Sequence, residues 1–162
     1  MQRGADGNAE PEPERSSMLK ENILMVTESP LTAARLIALP SCIDDRGSLA
    51  FIEGKRQIPF DIRRVYYLYD VPFTAERGAH AHKALQQFMI AAHGRFDVVL
   101  SDGSAERRFT LENPSYGLYV PRMLWRVLEN FTAGAFCLVL ASEYYDESDY
   151  IRDFDGFVRS RG

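Results

Sequence analysis

Two histidines two residues apart, His80 and His82, are the residues whose types and spacing most clearly suggest chemistry in this chain. They lie in the run RGAHAHK, inside an apolar, strand-like stretch. Because alternate side chains of a strand point to the same face, both imidazoles are predicted to point to one place. Such a pair can bind a metal ion, transfer protons, or form a hydrogen-bonded pair in the core. The third histidine, His93, precedes Gly94 and is predicted to be an exposed turn residue.

Short apolar or alternating runs, separated by turn residues, fill the chain from Arg35 onward. Many of these runs are rich in Val, Ile, Tyr and Phe, which strands favour, and Asp102-Gly103 predicts a tight hairpin. Many short strands with turns between them predict an all-β sandwich or barrel. Residues 149–159 instead place apolar side chains at helical spacing, which predicts one C-terminal helix on the outside with Ser148 as its N-cap.

The first 30 residues differ from the rest of the chain. Gly, Glu, Pro and Ser dominate residues 4–17, and no periodicity is visible. This composition predicts a disordered tail over residues 1–30, followed by one domain over residues 31–162. An open alternative is that the native chain starts at Met18.

Composition excludes several classes of protein. The formal net charge is −4, which argues against a nucleic-acid surface. No apolar run approaches the roughly 20 residues that span a bilayer, so no membrane association is expected. The two cysteines, Cys42 and Cys137, have no CxxC partner and are predicted to be buried free thiols, which favours a reducing cytoplasm.

The histidine run resembles the first half of the cupin signature, in which an HxH is followed by a Glu and a Gly. In metal-binding cupins the two His, the Glu and a third His from a second motif are ligands. Here the Glu position falls on Gln86 or Gln87, depending on the spacing used. In the second motif, Pro121 is followed five residues later by Arg126, where the third His would stand.

This set of residues is a poor metal site. Divalent ions prefer anionic ligands or several imidazoles, and a cation within a few Å opposes binding by roughly 4 kcal/mol at an effective dielectric of about 20. We therefore expect no metal and no other cofactor, and we keep a metal-dependent cupin enzyme only as an alternative.

A histidine pair facing an arginine suits proton transfer. A free imidazole titrates near pH 6.5, so it can take up and return a proton at neutral pH. A neighbouring arginine can stabilise an oxyanion. The combination fits proton abstraction α to a carbonyl through an enediolate. The alternative in which both histidines are purely structural stays open at this point.

Several ordered blocks of this sequence resemble the sugar-nucleotide 3,4-ketoisomerases of the cupin superfamily, which act on dTDP-4-keto-6-deoxyglucose. The resemblance covers roughly residues 35–159. The blocks are DRGSL at 45–49 leading into Ile52-Glu53, IPF at 58–60, RVYY at 64–67, YDVP at 69–72, RGAHAHK at 77–83, GLYV at 117–120, LASEYYDE at 140–147 and DYIR at 149–152. An HxH alone is weak evidence, but this ordered set is strong.

The resemblance implies a cupin-like jelly-roll β-barrel, a homodimer with exchanged strands, and metal-free catalysis by His80 and His82. The implied reaction moves the carbonyl of the 6-deoxyhexose from C4 to C3 through an enediol. His80 is the favoured carbon base and His82 the favoured shuttle for the hydroxyl proton, although the sequence does not fix that order.

Substrate recognition needs cations for the diphosphate and aromatic surface for the base and sugar. The candidates are Arg46, Tyr66, Arg77, Lys83, Tyr119, Trp125 and Arg126. Lys83 has the opposite parity to the histidines, so it is equally compatible with a position facing solvent or another subunit. The resemblance also implies that the positions of Arg46 and Arg126 vary with the configuration at C4 of the product, which stays open, as does the final sugar.

Two other functions remain as alternatives. A dTDP-sugar 3,5-epimerase also removes protons α to the ketone, and a non-catalytic sugar-nucleotide-binding module would use the same pocket without turnover. The acidic, aromatic run at residues 143–149 is interpreted as a solvated connection, with Tyr144 and Tyr145 packing against the barrel.

Overall fold

The computed structural model describes residues 29–161, which form twelve strands and two short α-helices. The strands are β1 Arg35–Ala38, β2 Ser41–Asp44, β3 Gly47–Ala50, β4 Arg64–Leu68, β5 Arg77–His82, β6 Gln87–His93, β7 Phe96–Ser101, β8 Glu106–Leu111, β9 Tyr116–Val120, β10 Trp125–Glu129, β11 Phe136–Ala141 and β12 Tyr150–Ile151. The helices are α1 Pro30–Ala33 and α2 Phe154–Arg159. The all-β prediction is confirmed. The predicted tail lies almost wholly outside the described residues.

Ten of the strands form two antiparallel sheets. One sheet has the order β1-β9-β6-β11-β4, and the other has the order β12-β5-β10-β7-β8. The predicted hairpin at Asp102-Gly103 joins β7 to β8, and Gly103 has a φ of +92° there. Glycine tolerates this backbone conformation without steric cost.

The main core lies between the two sheets. Met89 and Val139 from the first sheet pack with Val98 and Leu128 from the second in one buried apolar cluster. The histidine end of β5 brings polar groups into the interior, since His82 and Arg126 are buried there. No helix in residues 29–161 is long and apolar enough to cross a membrane.

Strands β2 and β3 form a separate hairpin, here called the arm, which joins neither large sheet. Every residue of both strands is exposed, with Ile43 at 78% and Leu49 at 58%. A groove of about 340 Å³ lies between the arm and residues 113–115. The arm also carries Cys42, so the predicted burial is wrong for this cysteine and correct for Cys137.

The C-terminal helix is shorter than the spacing predicts. A 3-10 turn at Glu147–Asp149 leads into β12, and α2 begins only after Asp153, whose Oδ2 accepts a hydrogen bond from the backbone N–H of Gly156. The prediction of a helix from residue 149 with Ser148 as N-cap is therefore wrong. Tyr150 and Ile151 pair with β5 instead, opposite His82 and Ala81.

Candidate active site

Strand β5 delivers both histidines to one place, as their spacing predicts. The rings of His80 and His82 have centroids 4.9 Å apart and are nearly perpendicular. Just before them, Gly78 has a φ of +89°, and a Cβ at this position would lie 2.7 Å from the carbonyl oxygen of Arg126. Only glycine fits, and the resulting bend lets the Gly78 carbonyl accept a hydrogen bond from Nδ1 of His80 at 2.9 Å.

His80 lines two adjoining cavities. The inner cavity measures about 210 Å³ and the outer one about 280 Å³, and both share Tyr66 and His80 in their walls. The inner wall is completed by Leu68, Arg77, Gly78, Met89, Arg126, Leu128 and Val139. The outer wall is completed by Arg64, Tyr145 and Tyr150. A small polar ligand in either cavity would meet the His80 ring.

His82 lies behind this wall. Its side chain has no exposed surface, and its Nδ1 lies 2.8 Å from Oδ2 of Asp149. A carboxylate only accepts hydrogen bonds, so Nδ1 of His82 carries the proton and Nε2 holds the lone pair. The Tyr150 ring packs against both imidazoles, with centroids 4.9 Å from His80 and 4.3 Å from His82.

Arg126 brings a buried positive charge to the site. The side chain is 1% exposed, and its Nη1 donates a hydrogen bond to Oε1 of Gln87. Gln87 in turn donates from Nε2 to the hydroxyl oxygen of Tyr66. Of the two amides that could occupy the Glu position, Gln87 is therefore the inward one, whereas Gln86 accepts a hydrogen bond from the Tyr119 hydroxyl.

Burial and Arg126 keep both imidazoles neutral. Burial, and then the Arg126 charge, lower the pKa of His80 to about 4. The same two causes, followed by His80, lower the pKa of His82. Burial also lowers the pKa of Arg126 to about 10, which leaves it protonated at neutral pH, and raises the pKa of Tyr66 to about 12. At pH 7 the site thus presents two neutral bases, a cation and a protonated phenol.

Three buried side-chain nitrogens have no hydrogen-bond partner within the described part of the chain: Nε of Arg64, Nε2 of His82 and Nε of Arg126. All three belong to this site. An unpaired buried polar group costs about 1–3 kcal/mol, so such groups indicate a place where a ligand completes the bonding. Two of them are donors and one is an acceptor, which matches a ligand carrying carbonyl and hydroxyl oxygens.

The donor set does not fit a divalent metal. Among residues 29–161 no group of three His, Cys, Asp or Glu side chains is placed to hold an ion. The positive charge of Arg126 lowers the pKa of both histidines, and the same charge would oppose binding of a second cation beside them.

The sequence and the fold were compared with those of known proteins. The family described as "FdtA: WxcM-like, C-terminal" matches residues 32–162. The chain belongs to the FdtA family. It is 44% identical over 125 residues to the TDP-4-oxo-6-deoxy-alpha-D-glucose-3,4-oxoisomerase of Aneurinibacillus thermoaerophilus, covering 77% of this chain and 90% of the relative.

Solved structures of ketoisomerases have the same fold. A histidine-to-asparagine mutant of the 3,4-ketoisomerase QdtA from Thermoanaerobacterium thermosaccharolyticum, in complex with TDP-4-keto-6-deoxyglucose, is 43% identical with a TM-score of 0.77, covering 79% of this chain and 93% of that one. The TDP-quinovose 3,4-ketoisomerase WlaRB from Campylobacter jejuni is 43% identical with a TM-score of 0.75, covering 78% and 97%. A dTDP-4-dehydrorhamnose 3,5-epimerase from Bacillus anthracis, 18% identical with a TM-score of 0.66 and covering 74% and 78%, shares the fold alone.

Three of the seven predicted substrate-binding residues of this FdtA family member line the cavities: Tyr66, Arg77 and Arg126. The other four lie elsewhere in the single chain. Arg46 is exposed at the turn of the arm, where it pairs with Asp44 at 2.5 Å. Lys83 is exposed and donates from Nζ to the carbonyl of Ser148 at 2.6 Å.

In the single chain, the rings of Tyr119 and Trp125 pack against apolar side chains away from the cavities. The Tyr119 ring joins an apolar cluster with Phe60 and Phe88, separate from the cluster between the two sheets. Trp125 alternates with the inward Arg126 along β10, and its ring packs against Phe154 and Phe157. Neither side chain lines the cavities beside His80, so their predicted roles gain no support from the single chain.

Asp149, Tyr150 and Arg64 are site residues that were not predicted from the sequence. The run at residues 143–149 is indeed exposed at most positions, but Asp149 is not solvated, because its carboxylate contacts His82. Tyr144 and Tyr145 are largely exposed, but each ring lies beside the barrel, Tyr144 next to the guanidinium of Arg63 and Tyr145 next to Tyr150, so their predicted packing is partial. No local signal marks Asp149, which lies 67 residues from its partner.

Proposed function

We propose that this chain is a sugar-nucleotide 3,4-ketoisomerase that converts TDP-4-keto-6-deoxyglucose to a TDP-3-keto-6-deoxyhexose. One observation carries the proposal: the neutral imidazole of His80 lies in the wall of a cavity that a buried guanidinium also lines. This arrangement is suited to removing a proton α to a carbonyl. The 3,4-oxoisomerase and ketoisomerase names of the relatives support the substrate class.

The hydrogen bond from His80 Nδ1 to the Gly78 carbonyl leaves the lone pair on Nε2, which makes Nε2 the base. In the proposed reaction Nε2 removes the proton from C3, and the C–H electron pair forms the C3–C4 double bond while the C4 carbonyl becomes an enediolate. Arg126 and the Tyr66 hydroxyl stabilise the developing oxygen charge. A proton then returns to C4, and the C3 hydroxyl loses its proton to give the new ketone. Atoms and electrons balance without an external oxidant.

His82 is proposed as the second member of the acid/base pair. Its position behind His80 and Tyr150 supports transfer within the site rather than direct attack on carbon. Its Nε2, which has no hydrogen-bond partner among residues 29–161, would accept the hydroxyl proton that moves between O3 and O4. The carbon-base role therefore goes to His80, which is the imidazole in the cavity wall.

The outer cavity supports binding of the nucleotide portion. Arg64 offers a buried Nε–H without a partner in residues 29–161, and Arg77 is exposed at the edge of the inner cavity. Guanidinium groups suit phosphate oxygens. The rings of Tyr145 and Tyr150 in the same wall offer aromatic faces. We propose that the diphosphate lies between these arginines.

We propose that the protein is a homodimer in which the arm is exchanged. Ile43 and Leu49 are apolar side chains exposed on both strands of the arm, and Val65 and Tyr67 are exposed on β4. Burying these side chains against a second copy would remove them from water at roughly 25 cal/mol per Å². The exchange would also carry Arg46, at the turn of the arm, toward the partner, where it would take its predicted role in substrate binding.

We propose that the protein is located in a reducing cytoplasm. Both cysteines are free thiols, and Cys42 is exposed on the arm. An exposed free thiol persists in a reducing environment, whereas oxidising compartments favour disulfides.

The test is product analysis by NMR after incubation with TDP-4-keto-6-deoxyglucose, which also gives the configuration at C4. We expect the ketone at C3, and His80→Asn and His82→Asn should each lower kcat by about 10²–10⁴-fold. In deuterated water, label at C5 would instead indicate a 3,5-epimerase, and binding without turnover would indicate a non-catalytic module. Loss of activity with a chelator would indicate a metal-dependent enzyme.

A further inference from the structure

The carboxylate of Asp149 is held rigidly against the outside of the histidine pair. Its Oδ1 accepts the backbone N–H of Ala84 at 2.7 Å, and its Oδ2 accepts that of Leu85 at 3.4 Å besides contacting His82. The backbone carbonyl of Asp149 accepts the N–H of Lys83 at 2.9 Å. Because these bonds satisfy the carboxylate from several sides, its position is fixed by the backbone that follows β5.

The fixed carboxylate determines which nitrogen of His82 carries the proton. An imidazole whose Nδ1–H donates to a carboxylate must keep its lone pair on Nε2 while the ring is neutral. Burial and the nearby Arg126 charge favour the neutral ring. Nε2 of His82 is buried and has no partner in residues 29–161, so the basic atom is directed into the interior.

We propose that Asp149 is a positioning residue for the reaction: its carboxylate holds His82 as the Nδ1–H tautomer, so that Nε2 is available as a proton acceptor. This inference rests on the proposed function for its kinetic consequence, but its structural statement concerns the resting protein alone. Asp149 acts through His82 and does not touch the substrate. The 3-10 turn at Glu147–Asp149 and the pairing of strand β12 with β5 place this carboxylate beside His82.

The test substitutes Asp149→Asn, which keeps the side-chain shape and an oxygen for the Ala84 amide. The asparagine amide group can donate to Nδ1, which favours the opposite tautomer of His82 with the proton on Nε2. Proton–nitrogen correlation spectra of the imidazole rings report the tautomer directly. We expect the Nδ1–H form in the wild type and a shift toward the Nε2–H form in Asp149→Asn. We also expect kcat to fall about 10²-fold, with KM changed less than about threefold.

Asp146→Asn is the matched control in the same turn. Asp146 accepts the backbone N–H of Ser148 at 2.9 Å and does not contact His82. This variant should keep the Nδ1–H tautomer and retain kcat within about twofold. If Asp146→Asn lost as much activity as Asp149→Asn, the role of Asp149 would be structural only, and the proposal would be wrong.

Two further outcomes would overturn the inference. One is a wild-type His82 protonated on Nε2 near pH 7.5, and the other is an Asp149→Asn variant that keeps both the tautomer and kcat. Failure of the proposed function is distinguishable, because it would show as a wild type without turnover. The tautomer of His82 would still decide what Asp149 does in that case.

Discussion

Replacing Arg126 with methionine tests how the site keeps His80 neutral. Arg126 lies directly opposite His80 in the pairing of β10 with β5. Its charge is the second cause, after burial, of the low pKa of His80. Methionine approximates the apolar part of the arginine side chain and removes the charge, while burial of His80 remains.

The expected shift follows from the pairing geometry. Arg126 and His80 are opposite residues of antiparallel strands, whose Cα atoms lie about 5 Å apart, and both side chains line the inner cavity. A unit charge at about 6 Å and an effective dielectric of about 20 contributes about 3 kcal/mol, or about 2 pKa units. Solvent and ions in the open cavity screen the charge, which reduces the expected pKa shift to about 1 unit. Removing a positive charge favours the protonated ring, so the pKa of His80 should rise from about 4 to about 5.

The assay is kcat/KM against pH, over the range in which circular dichroism shows each variant folded. The acidic limb of this profile reports the pKa of the base in the free enzyme. It should lie near pH 4 in the wild type, near pH 5 in Arg126→Met, and close to the wild-type value in Arg126→Lys, which keeps the charge. A parallel NMR titration of the His80 ring gives the pKa without reference to activity.

An acidic limb in Arg126→Met at or below that of the wild type would show that the Arg126 charge does not lower the pKa of His80. The same would follow if Arg126→Lys shifted as far as Arg126→Met, because the loss of the bond to Gln87, and not the charge, would then be the cause. A limb near pH 6.5 in the wild type would show that the pKa of His80 is not lowered by its surroundings.

Three other predictions concern stability, the phenol and the arm. The free energy of unfolding should fall by at least about 1–2 kcal/mol as the pH drops from about 6.5 toward 4, because the unfolded chain protonates His80 and His82 more readily than the folded one; equal urea midpoints at pH 7 and pH 5 would contradict this. Tyr66→Phe should lower kcat at least about 10-fold and cost about 1–3 kcal/mol, since Gln87 Nε2 loses its acceptor; an unchanged kcat would show that the hydroxyl is not used. Leu49→Asp should convert the dimer to monomer in sedimentation velocity, and a wild type that is itself monomeric would exclude arm exchange.

Most of the strands in the two large sheets were predictable because they carry a periodic signal of their own. Alternation along β10 buries Leu128 and Arg126 and leaves Trp125 and Val127 less buried, and the Asp-Gly pair identifies the β7–β8 turn. The shared face of His80 and His82 follows from the same two-residue period. These features depend on neighbours in the chain, so one sequence was enough.

The C-terminal segment was mispredicted because its apolar residues fit two periods. Tyr150 and Ile151 together with Phe154 and Phe157 match a helix, but the first two pair with β5. The choice depends on the free edge of β5, which no local pattern shows. Aspartates that cap at Asp146 and Asp153 were the available sign that two separate turns replace one long helix.

The contacts that organise the site could not be predicted from local sequence patterns either. Gln86 kept the parity of the histidines, yet Gln87 is the inward amide, because residues 83–86 leave the strand and reset the alternation. The Asp149–His82 contact spans 67 residues and depends on sheet order. Strand spacing gives the direction of a side chain, whereas its partner is set by the topology.

The surroundings of the histidine pair depend on residues 149–159. The edge of β5 that carries His82 is covered by a two-residue strand, and both α2 and the Asp149 carboxylate arrive with that same segment. Every residue of the apolar cluster between the two sheets precedes residue 149. A nascent or proteolytically clipped chain that ends before residue 149 would therefore contain this cluster but would lack the Asp149 carboxylate at His82 and the Tyr150 ring beside both imidazoles.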